Sequence, residues 1–136
     1  MAQAKVMGRV RQYIEVEGRD CWTLFDTGSR NNFVREDMVP QAAVVPLRTP
    51  RNTGLGGGIR RVEKGCVLNC EIEGKGLDLY ALVLPEIGLD GDGKQIELLF
   101  GALEMQRWGI IPDPVAEKID LRHYPEMWVE FPEVGP

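Results

Sequence analysis

The sequence has little of what marks several common classes of protein. Its 136 residues include one histidine, three cysteines and 7% aromatic residues, and its net charge is −5. No basic run is longer than Arg60-Arg61, and basic residues do not interleave with aromatic ones, so no nucleic-acid partner is expected. No apolar stretch approaches the length of a membrane span, and no signal peptide opens the chain, so no membrane association is expected.

The three cysteines are predicted to be free thiols. An odd number of cysteines without a secretory signal indicates a reducing compartment, and we expect a cytoplasmic protein. Cys66 and Cys70 have no histidine nearby and make a poor zinc site. They fall in a period-two apolar pattern, which predicts both on the buried face of one strand. The lone His123 has no serine or cysteine nucleophile context, and no cofactor or metal is expected.

Short alternating segments separated by glycine and proline run through the chain and predict a single, mainly β domain over residues 1–136. Its core is expected between about residues 10 and 121, with a tail over residues 122–136. Ala102–Trp108 is the one predicted helix, and Gly109 suits the position after its end. Strands at short spacing with one helix near the C-terminus are typical of a closed β-barrel. A strand is expected over Ala43–Leu47, and Gly65 is expected to separate the glycine-rich hairpin from the strand Cys66–Ile72. Met127–Phe131, in the tail, is a candidate edge strand and a possible strand at a dimer interface.

The segment Asp26–Ser29, which reads Asp-Thr-Gly-Ser, is the most informative part of the chain. It follows the apolar run Trp22–Phe25, which places a carboxylate at the end of a buried strand, on a turn that Gly28 permits. Burying an unpaired carboxylate costs several kcal/mol, so the position needs a reason. The side chain either accepts backbone N–H groups in a structural turn or serves acid–base chemistry in a dry cleft. These residues alone leave both interpretations open.

Two further segments follow at some distance along the chain. Gly54–Gly58 contains four glycines between two extended stretches, more than a structural hairpin needs. A phosphate-binding loop would need glycine at Ile59 and a helix after it, so a mobile hairpin tip or a plain flexible turn is expected instead. Leu99-Phe100-Gly101 immediately precedes the predicted helix. Asp90–Gly93 lacks the spacing of a calcium-binding EF-hand loop and is expected to form a surface turn.

The order of these segments resembles that of the retropepsin-like aspartic proteases. An apolar strand leads into Asp-Thr-Gly, a glycine-rich hairpin follows, and two apolar residues and a glycine precede a short helix. The resemblance covers roughly Val10 to Leu121, and Phe100 departs from it, since aliphatic residues usually precede that glycine. It implies a barrel of the retropepsin type and an aspartic endopeptidase acting on peptides or proteins. The chain holds one Asp-Thr-Gly and is far too short for the two-lobed pepsin architecture, so a second copy must supply the other carboxylate of a homodimer.

The resemblance also implies roles for individual residues. Asp26 is the catalytic carboxylate, Thr27 forms a hydrogen bond across the twofold axis, and Gly28 shapes the turn and admits substrate backbone. The residues implied in substrate binding are Ser29, whose hydroxyl would donate to the outer oxygen of Asp26, Arg30, Asn31, and the flap residues Gly54, Leu55, Gly56, Gly57 and Gly58. Two alternatives remain open: a module of this fold that dimerises or binds peptide without cleaving it, and a small β-barrel with a coincidental turn.

Overall fold

The structure, a computed structural model, describes residues 9–131, which form nine strands, two short 3₁₀ helices and one α-helix. The strands are β1 (Arg9–Val16), β2 (Arg19–Asp26), β3 (Phe33–Arg35), β4 (Val45–Leu55), β5 (Gly58–Ile72), β6 (Lys75–Leu84), β7 (Leu98–Gly101), β8 (Ile111–Asp113) and β9 (Lys118–Asp120). The 3₁₀ helices span Glu36–Met38 and Gln41–Ala43, and the helix α1 spans Ala102–Trp108. The predicted mainly β class is confirmed. No helix within residues 9–131 is long and apolar enough to cross a membrane.

Seven strands form one sheet in the order β1-β2-β7-β3-β6-β5-β4. The pairs β2–β7 and β3–β6 are parallel, and the other neighbouring pairs are antiparallel. β1 also pairs with the far part of β5 through Glu15–Glu71 and Val16–Cys70. The closed barrel stays a prediction. This order places β2, whose last residue is Asp26, between β1 and β7, so Asp26 does not lie on an edge strand.

Two tight hairpins fix the register between β1 and β2 and between β5 and β6. Glu17-Gly18 joins β1 to β2 and Glu73-Gly74 joins β5 to β6, and all four residues have positive φ. Two-residue loops of this conformation match the twist of antiparallel strands. In β1, Val10, Ile14 and Val16 are buried, so the alternation seen in the sequence corresponds to one face turned to the core.

The main core accommodates the unusual aromatic residue before Gly101. Phe100 is fully buried, and its ring centroid lies 4.9 Å from that of Phe25. An offset, tilted pair of rings at this separation is a favourable aromatic contact. The departure from an aliphatic residue at position 100 is therefore matched by an aromatic partner on the neighbouring strand β2.

The three cysteines are buried and free, as predicted, and Cys66 and Cys70 lie on one face of β5. Burial, with a contribution from the charge of Glu97, raises the pKa of the Cys21 thiol from 9.0 to about 12. Burial also raises the pKa of the other two thiols. Because the folded state favours the neutral thiols, the stability that they confer is complete below about pH 9 and is lost as pH rises toward 12.

Thiol reactivity checks this burial. We expect iodoacetamide at about pH 8, near the pKa of a free thiol, to leave Cys21, Cys66 and Cys70 unmodified in the native protein, since the thiolate is the reactive form. All three should be alkylated after unfolding in guanidinium chloride, which mass spectrometry detects. Rapid alkylation of any of them in the native protein would contradict the buried positions.

Three expectations about strand boundaries were wrong. Gly65 does not separate two strands, because β5 runs through it, and a Cβ there would collide with the ring of Tyr80. The strand expected over residues 43–47 begins at Val45 and continues to the hairpin tip. The candidate edge strand Met127–Phe131 forms no strand, and within it Trp128 packs edge-on against Trp108. The predicted helix Ala102–Trp108 is confirmed, and Gly109 follows it in the left-handed conformation.

Candidate active site

Asp26 is the last residue of β2, and its carboxylate is held by the turn that follows. The residue is 7% exposed. The backbone N–H of Gly28 donates to Oδ1 at 2.8 Å, and the N–H of Ser29 donates to the Asp26 carbonyl at 3.1 Å. A Cβ at position 28 would lie 3.0 Å from Oδ1, so glycine permits this close approach. The structural turn proposed from the sequence therefore exists, and it orients a nearly buried carboxylate.

The other carboxylate oxygen contacts Arg9, a residue that the sequence analysis did not single out. Arg9 Nε donates to Asp26 Oδ2 at 3.1 Å, and the two side chains are 48% and 10% exposed. The sequence contains a signal that predicts this contact. A two-residue loop at Glu17-Gly18 pairs Val16 with Arg19, and counting back along both strands places Arg9 opposite Asp26, as observed.

A second layer of contacts holds the Asp26 turn against β7. The buried Asn32 side chain accepts from the Gly101 N–H at 2.8 Å and donates to the Tyr80 carbonyl at 3.0 Å. The Ala102 N–H donates to the Ser29 carbonyl at 2.6 Å. The turn and the residues after it are thus fixed by backbone groups of β6, of β7 and of the first residue of α1. Asn32 was missed, and its only sequence signal is a polar residue directly before the apolar Phe33-Val34.

Gly101 is required by the close approach of β7 to this turn. A Cβ at this position would collide with the Asn31 carbonyl and would lie 2.9 Å from the Arg30 carbonyl oxygen. Both obstacles are backbone groups and cannot rotate away. The role of Leu99-Phe100-Gly101 is therefore to let β7 support the Asp26 turn from beneath.

This contact gives a stability prediction. Gly101→Ala should lower the free energy of unfolding by about 1–3 kcal/mol, the usual cost of overpacking. Gly54→Ala is the matched control, because a Cβ there meets nothing within 4 Å and its effect should stay within about 1 kcal/mol. Chemical denaturation of both variants measures the difference. Equal stabilities would show that the turn can move away from β7 at no cost.

The remaining predicted residues around Asp26 are placed as follows. Ser29 Oγ donates to the Asn31 carbonyl at 2.9 Å, so its predicted hydrogen bond to the outer oxygen of Asp26 is wrong for this structure. Arg9 occupies that oxygen instead. Thr27 and Arg30 are exposed at the end of the turn.

The glycine-rich segment is the tip of the β4–β5 hairpin. Leu55 pairs with Gly58, which leaves Gly56 and Gly57 as the two loop residues, with φ of 59° and 82°. A two-residue loop with positive φ at both positions strongly favours glycine, so ordinary turn chemistry accounts for these two. It does not account for Gly54 and Gly58, whose φ values lie outside the left-handed region.

A cleft of about 1090 Å³ lies between the Asp26 turn, the hairpin tip and residues 87–92. It brings together most of the residues predicted as a site: Asp26, Gly28, Ser29, Arg30, Asn31, Gly54, Leu55, Gly56 and Gly58. Thr27 and Gly57 do not line it. Its apolar lining comes from a small hydrophobic cluster that includes Leu24, Phe33, Ile87, Ile96 and Leu99. A cleft of mixed polar and apolar lining that holds the nearly buried Asp26 carboxylate is suited to binding an extended chain and to acid–base chemistry.

The loop around Asp90 also lines this cleft, which the sequence analysis did not anticipate. Asp90 accepts from the Trp22 indole N–H at 2.8 Å and from the backbone N–H groups of Asp92 and Lys94 at 2.8 and 2.9 Å. Burial opposes ionisation of Asp90, but these bonds and the charge of Arg11 together lower the pKa of its carboxyl group. The predicted turn is confirmed, and residues 9–131 contain no cluster of three or more potential metal ligands.

Comparisons with known proteins find similarity in structure and none in sequence. No protein-family model matches the chain, and no curated protein matches it. The retroviral protease-like domain of Ddi1 from Leishmania major superimposes with a TM-score of 0.61 at 11% identity, covering 86% of this chain and 90% of that domain. EIAV protease, solved with the inhibitor HBY-793, gives a TM-score of 0.50 at 17% identity, covering 79% of this chain and 95% of that protease. The chain therefore has a retropepsin-like fold.

Proposed function

We propose that the protein is an aspartic endopeptidase that is active as a homodimer. The observation that carries the proposal is the position of Asp26, which is nearly buried, accepts a hydrogen bond from the Gly28 N–H, and lines a cleft together with the tip of a glycine-rich hairpin. A purely structural turn has no need of such a cleft. The retropepsin-like fold and the similarity to a structure named as a protease support the same conclusion.

The chemistry requires two carboxylates and one proton. One carboxylate acts as the general base on a water molecule, and its protonated partner polarises the scissile carbonyl. Each chain offers one Asp26 in the cleft, so a twofold axis that brings two Asp26 turns together completes the site. The exposed Thr27 lies at the end of the same turn, where it can reach a second copy.

Because Arg9 contacts Asp26, association of two chains also requires a rearrangement of the Arg9 side chain. In the single chain the guanidinium compensates the charge of Asp26 at Oδ2. In the dimer, the partner's carboxylate and the shared proton approach the same side chain, so the guanidinium and the shared proton compete for the same oxygen. Arg9 therefore has to leave Oδ2 as the second turn arrives, and its half-exposed side chain is free to swing into solvent.

The C-terminal tail supplies a surface for the second copy. Met127, Val129 and Phe131 are 75%, 64% and 100% exposed, although the adjacent Trp128 is anchored on Trp108. A run of exposed apolar side chains beside a fixed anchor favours burial in an interface. We assign this tail, predicted from the sequence as an interface strand, to the contact between the two chains.

Activity and association should rise together with concentration. We expect a peptide library to be cleaved at a rate per chain that increases as sedimentation shows monomer converting to dimer, because each site needs two chains. A dimer that cleaves nothing would favour the non-catalytic module. The Arg9 ion pair on the carboxylate is the observation that favours this second candidate. Full activity in a species that stays monomeric at all concentrations would contradict the homodimeric enzyme.

A further inference from the structure

A second groove, of about 630 Å³, adjoins the cleft and runs along β4. Arg30, Asn31 and Thr53 line both cavities, so an extended peptide leaving the Asp26 turn passes directly from one into the other. The groove is bounded by β4, by Tyr80 and Leu82 of β6, and by the first turn of α1. Its position makes it part of the path that a substrate of the proposed protease would follow.

Three arginines line this groove, and they differ from every other arginine in residues 9–131. The guanidinium groups of Arg30, Arg48 and Arg51 form no hydrogen bond and no ion pair with any other described residue. Each of the other arginines contacts a carboxylate or a carbonyl oxygen: Arg9, Arg11, Arg19, Arg35, Arg60, Arg61, Arg107 and Arg122. In a chain with net charge −5, the three guanidinium groups that have no partner among the described residues thus line one cavity.

The groove contains little negative charge to balance them. Glu104 is its only acidic lining residue among those described, and its side chain is 14% exposed. Its carboxylate accepts from the Trp108 indole N–H at 3.1 Å and lies 3.7 Å from Arg107. Burial raises the pKa of the Glu104 carboxyl group despite these contacts. The groove therefore presents a net positive potential to whatever binds.

The backbone of β4 is also available beside these arginines. The β4–β5 pairing is interrupted between Pro46 and Arg51, and β4 is the last strand in the sheet order. An unpaired strand edge is a site where an extended peptide can add by backbone hydrogen bonds. Apolar side chains of Leu47, Val62, Leu82 and Leu103 line the same groove. A ligand that fits it is extended, partly apolar and negatively charged.

We propose that this groove selects substrates with acidic residues on one side of the scissile bond, through carboxylates that pair with Arg30, Arg48 and Arg51. The inference rests on the proposed peptidase and names its substrate class. Guanidinium and carboxylate groups form charge-assisted, bidentate hydrogen bonds, and a neutral amide in the same place gains less. Substrates with lysine or arginine there are rejected by repulsion, which adds to the discrimination.

A binding experiment on inactive Asp26→Asn protein separates this inference from catalysis. The probes are fluorescein-labelled peptides with an apolar centre and two glutamates on either its N-terminal or its C-terminal side, and the same peptides with glutamines. We expect one glutamate peptide to bind at least about ten-fold more tightly than its glutamine counterpart, with the difference shrinking at high salt. Arg48→Gln and Arg51→Gln should each remove several-fold of that preference. Arg61 is exposed and already paired with Glu63, so Arg61→Gln is the matched control. This variant should keep the preference for the glutamate peptide.

The outcomes distinguish the two proposals. Wild-type protein that cleaves peptides without any preference for glutamate overturns the groove assignment and leaves the peptidase standing. Selective glutamate binding by a protein that cleaves nothing supports the groove and contradicts the peptidase. An equal loss of preference in Arg61→Gln would show that overall charge, and not the groove, is responsible. Displacement of the peptide by a single-stranded oligonucleotide that binds more tightly would also overturn the proposal, since the ligand would then be a nucleic acid.

Discussion

Asp26→Asn is expected to abolish peptide cleavage while the protein keeps its fold. Asparagine has the size of aspartate and can still accept the Gly28 N–H, which now donates to Oδ1. It cannot take a proton from water, nor share one with a second carboxylate, so the rate should fall by roughly 10²–10⁴-fold or more. The ion pair with Arg9 is also lost, but its partner is half exposed, and such pairs contribute about 1 kcal/mol at most.

The control for this substitution is Asp20→Asn at the other end of the same strand. Asp20 is exposed and lies away from the cleft, so the same chemical change there should leave cleavage intact. The wild-type pH–rate profile should be bell-shaped, with both limbs belonging to the coupled carboxylates together. Unchanged turnover in Asp26→Asn would eliminate the aspartic mechanism whatever the fold.

The parts of the site that are local in sequence could be predicted from the sequence. The Asp26 turn depends on Gly28, and the helix is followed by Gly109. The free thiols of Cys66 and Cys70 follow the alternation of buried and exposed residues in β5. All three are effects between residues close together in the chain. The hairpin register would also have placed Arg9, because a two-residue loop fixes every pair along β1 and β2.

The contacts missed from the sequence join segments that are far apart in the chain. Asn32 links the Asp26 turn to β6 and β7, and its partners lie 48 and 69 residues away. The Asp90 turn lines the cleft because its side chain reaches Trp22 on β2. The prediction of a strand break at Gly65 is wrong because the space beside this glycine is filled by Tyr80 from the neighbouring strand β6. No local pattern carries such information.

The excess of glycine at the hairpin tip predicts an unusual variant, in which activity and stability move in opposite directions. Gly54 lies in β4 opposite Ile59, lines the cleft, and has no atom within 4 Å of the position of a Cβ. Valine favours extended backbone, and replacing a strand glycine removes conformational freedom from the unfolded chain. Gly54→Val should therefore keep or raise the free energy of unfolding, by up to about 1 kcal/mol.

Cleavage by the same variant should nevertheless fall by about ten-fold or more. The added side chain projects into space that, in the proposed enzyme, admits the substrate backbone under the hairpin, and small misplacements of a substrate cost large factors in rate. Gly56→Val is the contrasting variant, because φ of 59° at Gly56 is unfavourable for a β-branched residue. It should lose about 1–2 kcal/mol of stability through the turn itself. Rates and melting temperatures measured side by side separate the two effects. If Gly54→Val cleaves peptides as fast as the wild type, the hairpin does not close over the substrate and the flap assignment is wrong.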